Sequence, residues 1–271
     1  MNIKNLEYLQ KGLKNIGFGD NLNAELEARI KEQPEAFQIS FMGEFKRNGI
    51  VEKADYELDF TKSEKSDMYF LNKYRATLRG EVPSKDRSQT FYITKNYGVT
   101  AKEAYNLLSE RSVNKDLKTK DGKEYNAWLQ LDFSEKDKNE NYKVKQFHSG
   151  YGYNLEATLE RYPIKELGDE GERERLVKSL KKGNLHPVTF NTDGKNEIMF
   201  VAANPQYKSL HLYDAKMQKV FQGVDRQEGK VNEKQVEGAT KSEKKESRKQ
   251  DTNTEGDESD TRKTKRRGVG I

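Results

Sequence analysis

Residues 37–60 read FQISFMGEFKRNGIVEKADYELDF, and their pairing decides the fold. Asn48-Gly49 is the dipeptide favoured in a two-residue type I′ turn, where both central residues take positive φ. Centring the turn there sets Phe41 opposite Tyr56, Ile39 opposite Leu58 and Phe37 opposite Phe60. One face of the hairpin is then apolar over three successive pairs, a match that a one-residue slip would destroy. The misfit is Phe45, which falls opposite Glu52.

Outward from this hairpin, a third strand is expected over 68–78 and a fourth over 90–94. Asp55, Glu57 and Asp59 share one face of the second strand, and Lys73, Arg75 and Arg79 share one face of the third. Antiparallel pairing makes these rows a solvated charge ladder, each pair contributing roughly 0.2–1 kcal/mol, in preference to a metal or acid–base site. Ahead of the hairpin, Leu6, Leu9, Leu13 and Ile16 mark an amphipathic helix stopped by Gly17 and Gly19. Asp20 is the expected cap of a second helix carrying Leu22, Leu26 and Ile30, ended by Pro34. Their narrow apolar stripes predict helices lying on the surface of the body.

After the hairpin, Thr100-Ala101-Lys102-Glu103 is a capping box opening a helix through Tyr105, Leu107 and Leu108. Asp121-Gly122 marks a turn before a strand with Ala127, Leu129, Leu131 and Phe133 on one side and Trp128, the single tryptophan, on the other. A short helix follows Asn154, and 164–171 reads as a joint. Beyond it come a helix over 172–182 with Gly183 as its stop, then strands near 185–191 and 196–203. A three-residue loop at Asp193-Gly194-Lys195 would pair Phe190 with Ile198 and Val188 with Phe200. A last strand carries Tyr207, Leu210, Leu212 and Tyr213.

The fold class is therefore α+β. An N-terminal domain of antiparallel sheet and helices spans 1–165, a small helix plus three-stranded meander spans 170–221, and a charged tail spans 222–271. All 27 aromatic residues lie at or before Phe221. The tail has too little apolar surface to offset about 1–2 kcal/mol per residue of backbone ordering and is expected to be disordered.

The net charge of +5 is small against 50 basic and 45 acidic residues, so charge alone names no nucleic-acid partner. Without cysteine there is no disulfide, thiolate catalysis or cysteine-ligated zinc. No secretory signal or membrane span is legible, which makes a cytoplasmic protein the expectation.

Several strings resemble a known group. The run KKGNLHPVTFNTDGKNEIMFVAANPQYKSLHLYD (181–214) is similar to a domain of unknown function in Bacteroidetes proteins carried on conjugative transposons and related mobile elements. AYNLLSERSVNK (104–115), YNAWLQLDF (125–133) and KQFHSGYGYNLEATL (145–159) resemble its longer stand-alone members. The resemblance implies a place beside topoisomerase, primase and antirestriction-type domains on transferred DNA. It carries no activity, cofactor or catalytic residue onto this chain.

Nor do the residues spell a reaction centre. His148, His186 and His211 form no zinc-binding pair, and neither a P-loop nor a G-x-S-x-G elbow occurs. Gly150-Tyr151-Gly152 lacks the third glycine of a dinucleotide fingerprint. No cofactor is implied, and an enzyme is disfavoured.

Two functional readings stay open. The preferred one is a non-enzymatic accessory or binding protein of a mobile element, acting through contacts with an unidentified protein partner around DNA transfer. The alternative is a direct binder of single-stranded nucleic acid, using basic grooves and aromatic stacking. Its candidate residues in the body are Arg111, Lys115, Trp128, Lys181, Lys182, Tyr207, Lys208 and His211. In the tail, Arg262, Lys263, Lys265, Arg266 and Arg267 could add a weak, salt-sensitive contact to phosphates.

Overall fold

The computed structural model describes residues 1–47, 49–95, 98–119 and 121–220. The tail, with its expected disorder, and Asn48 of the first turn lie outside the described residues. Two helices, α1 (Ile3–Asn15) and α2 (Asn23–Glu32), precede a four-stranded antiparallel sheet in the order β1 (Ala36–Arg47), β2 (Ile50–Lys62), β3 (Tyr69–Leu78), β4 (Arg87–Tyr92). The first pair holds the expected register: Phe37 faces Phe60, Ile39 faces Leu58 and Phe41 faces Tyr56.

This register gives the sheet one apolar face. Tyr56, Leu58 and Phe60 are buried, and α1, α2 and the helix α3 (Ala101–Leu108) pack over that side. The other face carries the charge ladder, with Glu57 opposite Arg75, Asp59 opposite Lys73, and Arg79 in an ion pair of 2.5 Å with Asp55.

The helices are more deeply held than their narrow stripes imply. Leu13 and Leu26 are fully buried, because the linker residue Phe18 drives between them and the sheet. Its ring meets Phe41, Tyr56 and Tyr74 edge-on at centroid distances of 5.3–5.6 Å. Asp20 does not cap α2: Leu22 stands at the N-cap without a side-chain bond, and Asp20 takes Lys14 and Asn23 instead.

A second antiparallel sheet joins β5 (Val113–Lys118), β6 (Glu124–Lys136) and β7 (Tyr142–His148) in that order. Its outer strands are too polar to announce themselves in the sequence. Gln89 on β4 links the two sheets: its side-chain amide donates to the Tyr142 carbonyl and accepts from the Tyr142 N–H, standing in for one peptide of a ladder. The sheet-edge Thr90 N–H is likewise taken by Asn141.

After α4 (Leu155–Leu159) and α5 (Glu170–Lys181), a third sheet has the order β11 (Lys219–Val220), β10 (Ser209–Tyr213), β9 (Lys195–Asn204), β8 (His186–Thr192). A two-residue fourth strand thus extends the expected meander. Its hairpin register differs by one residue from the sequence reading. Val188 faces Met199 and Phe190 faces Glu197, so Ile198 is exposed and Met199 is buried. The loop is the two-residue Asp193-Gly194, both with positive φ, not a three-residue one. Tyr207 lies in a 3₁₀ turn, Pro205–Tyr207, ahead of the last long strand.

Two hydrophobic cores result inside one compact unit, Met1–Phe221. The segment 170–221 supplies only part of the second core. Trp128 and buried side chains from Tyr153 to Ile164, placed with the first domain in the sequence reading, pack there too. Strand β6 serves both cores, sending Leu129 and Leu131 into the first and Trp128 into the second.

Candidate anion-binding cleft

The seam between the cores is closed by hydrogen bonds from α3 and the residue beyond it. Arg111 Nε donates to the Gly183 carbonyl at 2.9 Å and a terminal nitrogen donates to Asn106 Oδ1 at 2.7 Å. Asn106 in turn donates to the Lys182 carbonyl at 2.7 Å and to Asn184 Oδ1 at 3.0 Å. Gly183 has φ +75, and a Cβ there would stand 2.8 Å from the Ser112 carbonyl oxygen. Glycine therefore ends α5 and also lets the two backbones approach.

A cleft of about 360 Å3 opens over this seam. Its position traces back to the first hairpin. The buried Tyr56 hydroxyl donates to the Ala101 carbonyl at 2.8 Å, and the Tyr74 hydroxyl to the Val99 carbonyl at 2.6 Å. Thr100 and Glu103 complete the capping box, so the start of α3 is fixed against the sheet. Lys102 and Tyr105, three apart, then share a helix face.

The Tyr105 ring stacks on Phe45 at 4.1 Å, and its hydroxyl donates to Glu52. The Lys102 ammonium stands 4.4 Å from the Tyr105 centroid and 4.6 Å from that of Phe45. Arg111 lies 5.1 Å from the Tyr105 centroid, and Lys46 also lines the cleft. Leu185, Pro187, Phe200 and Met217 also line the cleft and give it apolar surface beside Ser179 and Asn184.

Charge in the cleft is held under strain. Although Lys102 as a whole is exposed, removal of its ammonium from water and then the neighbouring Arg111 charge lower its pKa to about 8, with Glu52 opposing the shift. Burial, and next the bond to Glu52, raises the Tyr105 phenol above its ordinary value. Burial also lowers His186, whose Nδ1 lies 2.9 Å from Ser179 Oγ. Among the described residues no ion pair forms on Lys102. The arrangement can hold an anion by charge and hydrogen bonding, with an apolar group beside it.

The structure scatters the residues expected from sequence. Arg111 is buried in the seam and braces it. Trp128 is buried against Tyr153, ring centroids 5.4 Å apart, and offers no face to a base. His211 is half-buried; burial, then the charge of Lys219, lowers its pKa to about 4. Lys115 pairs with Glu103 at 3.0 Å and Lys181 with Glu156 at 3.1 Å. Lys182 gives its carbonyl to Asn106. Tyr207 and Lys208 stand together at the surface, both exposed. Arg262, Lys263, Lys265, Arg266 and Arg267 lie outside the described residues.

Lys46, Lys102, Tyr105 and Asn106 were not singled out by sequence. For the three on α3 the capping box was the signal, since it fixes the helix phase that aligns 102, 105 and 106; for Lys46 on β1 there was none. Among the described residues no cluster of three His, Asp or Glu side chains is placed to hold a metal ion, and no helix is long and apolar enough to cross a membrane. No protein-family model, curated protein or solved structure matches the chain.

Proposed function

We propose that this chain is a non-catalytic binding protein whose cleft receives an acidic side chain of a partner protein together with a neighbouring apolar one. The carrying observation is that Lys46 and Lys102, backed by the buried Arg111, line one cleft together with the apolar side chains of Leu185 and Phe200. Burial of the Lys102 ammonium costs free energy, and an incoming carboxylate would recover part of it. A binding role is supported by how the polar groups are used. Arg111 braces the backbone at Gly183, and Glu52 already accepts the Tyr105 hydroxyl, so both are committed to holding the fold. The resemblance to mobile-element proteins supports an accessory role around transfer of such an element's DNA.

The test is a calorimetric titration with short peptides in which Asp or Glu adjoins Phe or Leu, against amide counterparts carrying Asn or Gln. The acidic peptides should bind the native chain and lose affinity for Lys46→Glu/Lys102→Glu. Equal binding of acidic and amide peptides would refute the reading.

A further inference from the structure

A second surface lies where the 3₁₀ turn Ser149–Tyr151 meets the turn Pro205–Tyr207. The Tyr151 hydroxyl donates to the Gln206 carbonyl at 2.7 Å, the carbonyl of the peptide that continues into Tyr207. Tyr151 also rests on Phe147, centroids 4.9 Å apart, which fixes its ring from behind. The Lys208 ammonium is 5.2 Å from the Tyr151 centroid. Lys208 itself has φ +51, and Arg161 donates to its carbonyl, so the turn is braced in an uncommon conformation.

Despite this bracing, the rings stay open: Tyr207 is 71% exposed and Tyr151 41%. Among the described residues Lys208 enters no ion pair, while Glu156 and Glu160, which follow Tyr151 in the chain, are engaged by Lys181 and Arg173. A cation held over one partly open ring, with a second, more open ring adjacent to it in the chain, suits a ligand that is anionic and has flat faces. Unpaired bases on a phosphate backbone have both properties, whereas a duplex keeps its base faces stacked inside.

We propose that Tyr151, Tyr207 and Lys208 form a stacking platform for single-stranded nucleic acid, separate from the cleft and independent of its occupant. Tyr207 supplies the most accessible ring, Tyr151 the anchored one, and Lys208 the contact to a phosphate.

The experiment is fluorescence anisotropy with the full chain and three labelled probes: oligo(dT), an abasic strand of equal length, and a duplex. Native protein should prefer oligo(dT) to both others, because stacking requires accessible bases. Tyr207→Ala should weaken oligo(dT) binding about tenfold and erase the preference over the abasic strand. Tyr207→Phe should keep it. Lys208→Gln should reduce the salt slope by about 0.7 in log units. Equal binding of dT and abasic strands would assign the contact to phosphates alone, such as those met by the basic tail, and overturn the proposal. No binding at low salt, a native-like Tyr207→Ala, or saturable capture of a neutral oligosaccharide in place of oligo(dT) would overturn it as well. Lys46→Glu/Lys102→Glu should leave the dT-over-abasic preference intact, which separates failure here from failure at the cleft.

Discussion

Phe45 and Glu52 face each other across the first hairpin, and both engage Tyr105, one by ring stacking and the other by accepting its hydroxyl proton. This mismatched pair, beyond the apolar pairs of Phe37, Ile39 and Phe41, is thus where the sheet leaves off packing and begins to build the cleft. Phe45 serves α3 as a platform, and Glu52 accepts a hydrogen bond from a phenol that is otherwise almost wholly buried.

Gly183 and Gly194 give a matched test of the seam. Both have φ near +75, but only Gly183 has backbone pressed against it, with the Ser112 carbonyl 2.8 Å from a Cβ position. Gly194→Ala should cost about 1–2 kcal/mol, the left-handed penalty alone. Gly183→Ala should cost at least about 1 kcal/mol more, since Ser112 and Val113 must move. Urea unfolding of both variants measures the difference, and equal losses would mean that the seam does not hold the approach.

Because β6 places Trp128 in one core and Leu129 in the other, the two cores should unfold together. Trp128 is the single tryptophan, so its fluorescence reports the second core while far-ultraviolet circular dichroism reports all the sheets. The two transitions should coincide in urea. A fluorescence change well separated from the dichroism change would show that the cores are independent.

The contrast between the two hairpins shows what was legible. At Asn48-Gly49 the flanking apolar pairs are enough to fix the register, because only one alignment keeps Phe37, Ile39 and Phe41 opposite apolar partners. At Asp193-Gly194 a similar two-residue turn was available, but Ile198 and Phe200 offered an equally apolar wrong face, and the reading slipped by one. The helices, the capping box and the opposite-facing Trp128 followed from periodicity and local chemistry. Strands β5 and β7 did not, because VNKDLK and YKVKQFH are mostly polar, with few apolar anchors such as Val113 and Phe147, and owe much of their place to pairing with β6 and, for β7, to Gln89. The cleft was hidden for a related reason. Lys46, Lys102 and Arg111 come from three separate segments, and only the tertiary seam brings them together.

The depressed pKa of His211 has a definite sign for stability. Its folded value of about 4 lies below the ordinary 6.5, so the unfolded chain binds more protons between those limits. Stability from this group is fully present above about pH 6.5 and is lost as the pH falls toward about 4. His186, also lowered by burial, acts in the same direction. Urea midpoints measured from pH 7 to pH 4 should fall for the native chain and fall less steeply for His211→Gln. Parallel pH profiles for the two proteins would remove His211 as a source.

Among the described residues, Lys102 should be the distinctive amine. Its pKa of about 8 follows first from burial against Phe45 and Tyr105 and then from the charge of Arg111, so near neutral pH it carries a larger neutral fraction than an ordinary solvated lysine. Acylation followed by peptide mass spectrometry should show modification at Lys102 levelling off above a midpoint near pH 8, while solvated lysines continue to gain rate toward pH 10. Glu52 opposes the shift, so Glu52→Gln should move the midpoint below 8. An acidic ligand in the cleft should move it upward, because an added carboxylate favours the ammonium form. A native midpoint near 10.5 would mean that the ammonium stays hydrated and that the rings beneath it do not desolvate it. The cleft would then lose the burial cost that an anion is proposed to relieve, and its cations would be an ordinary solvated surface.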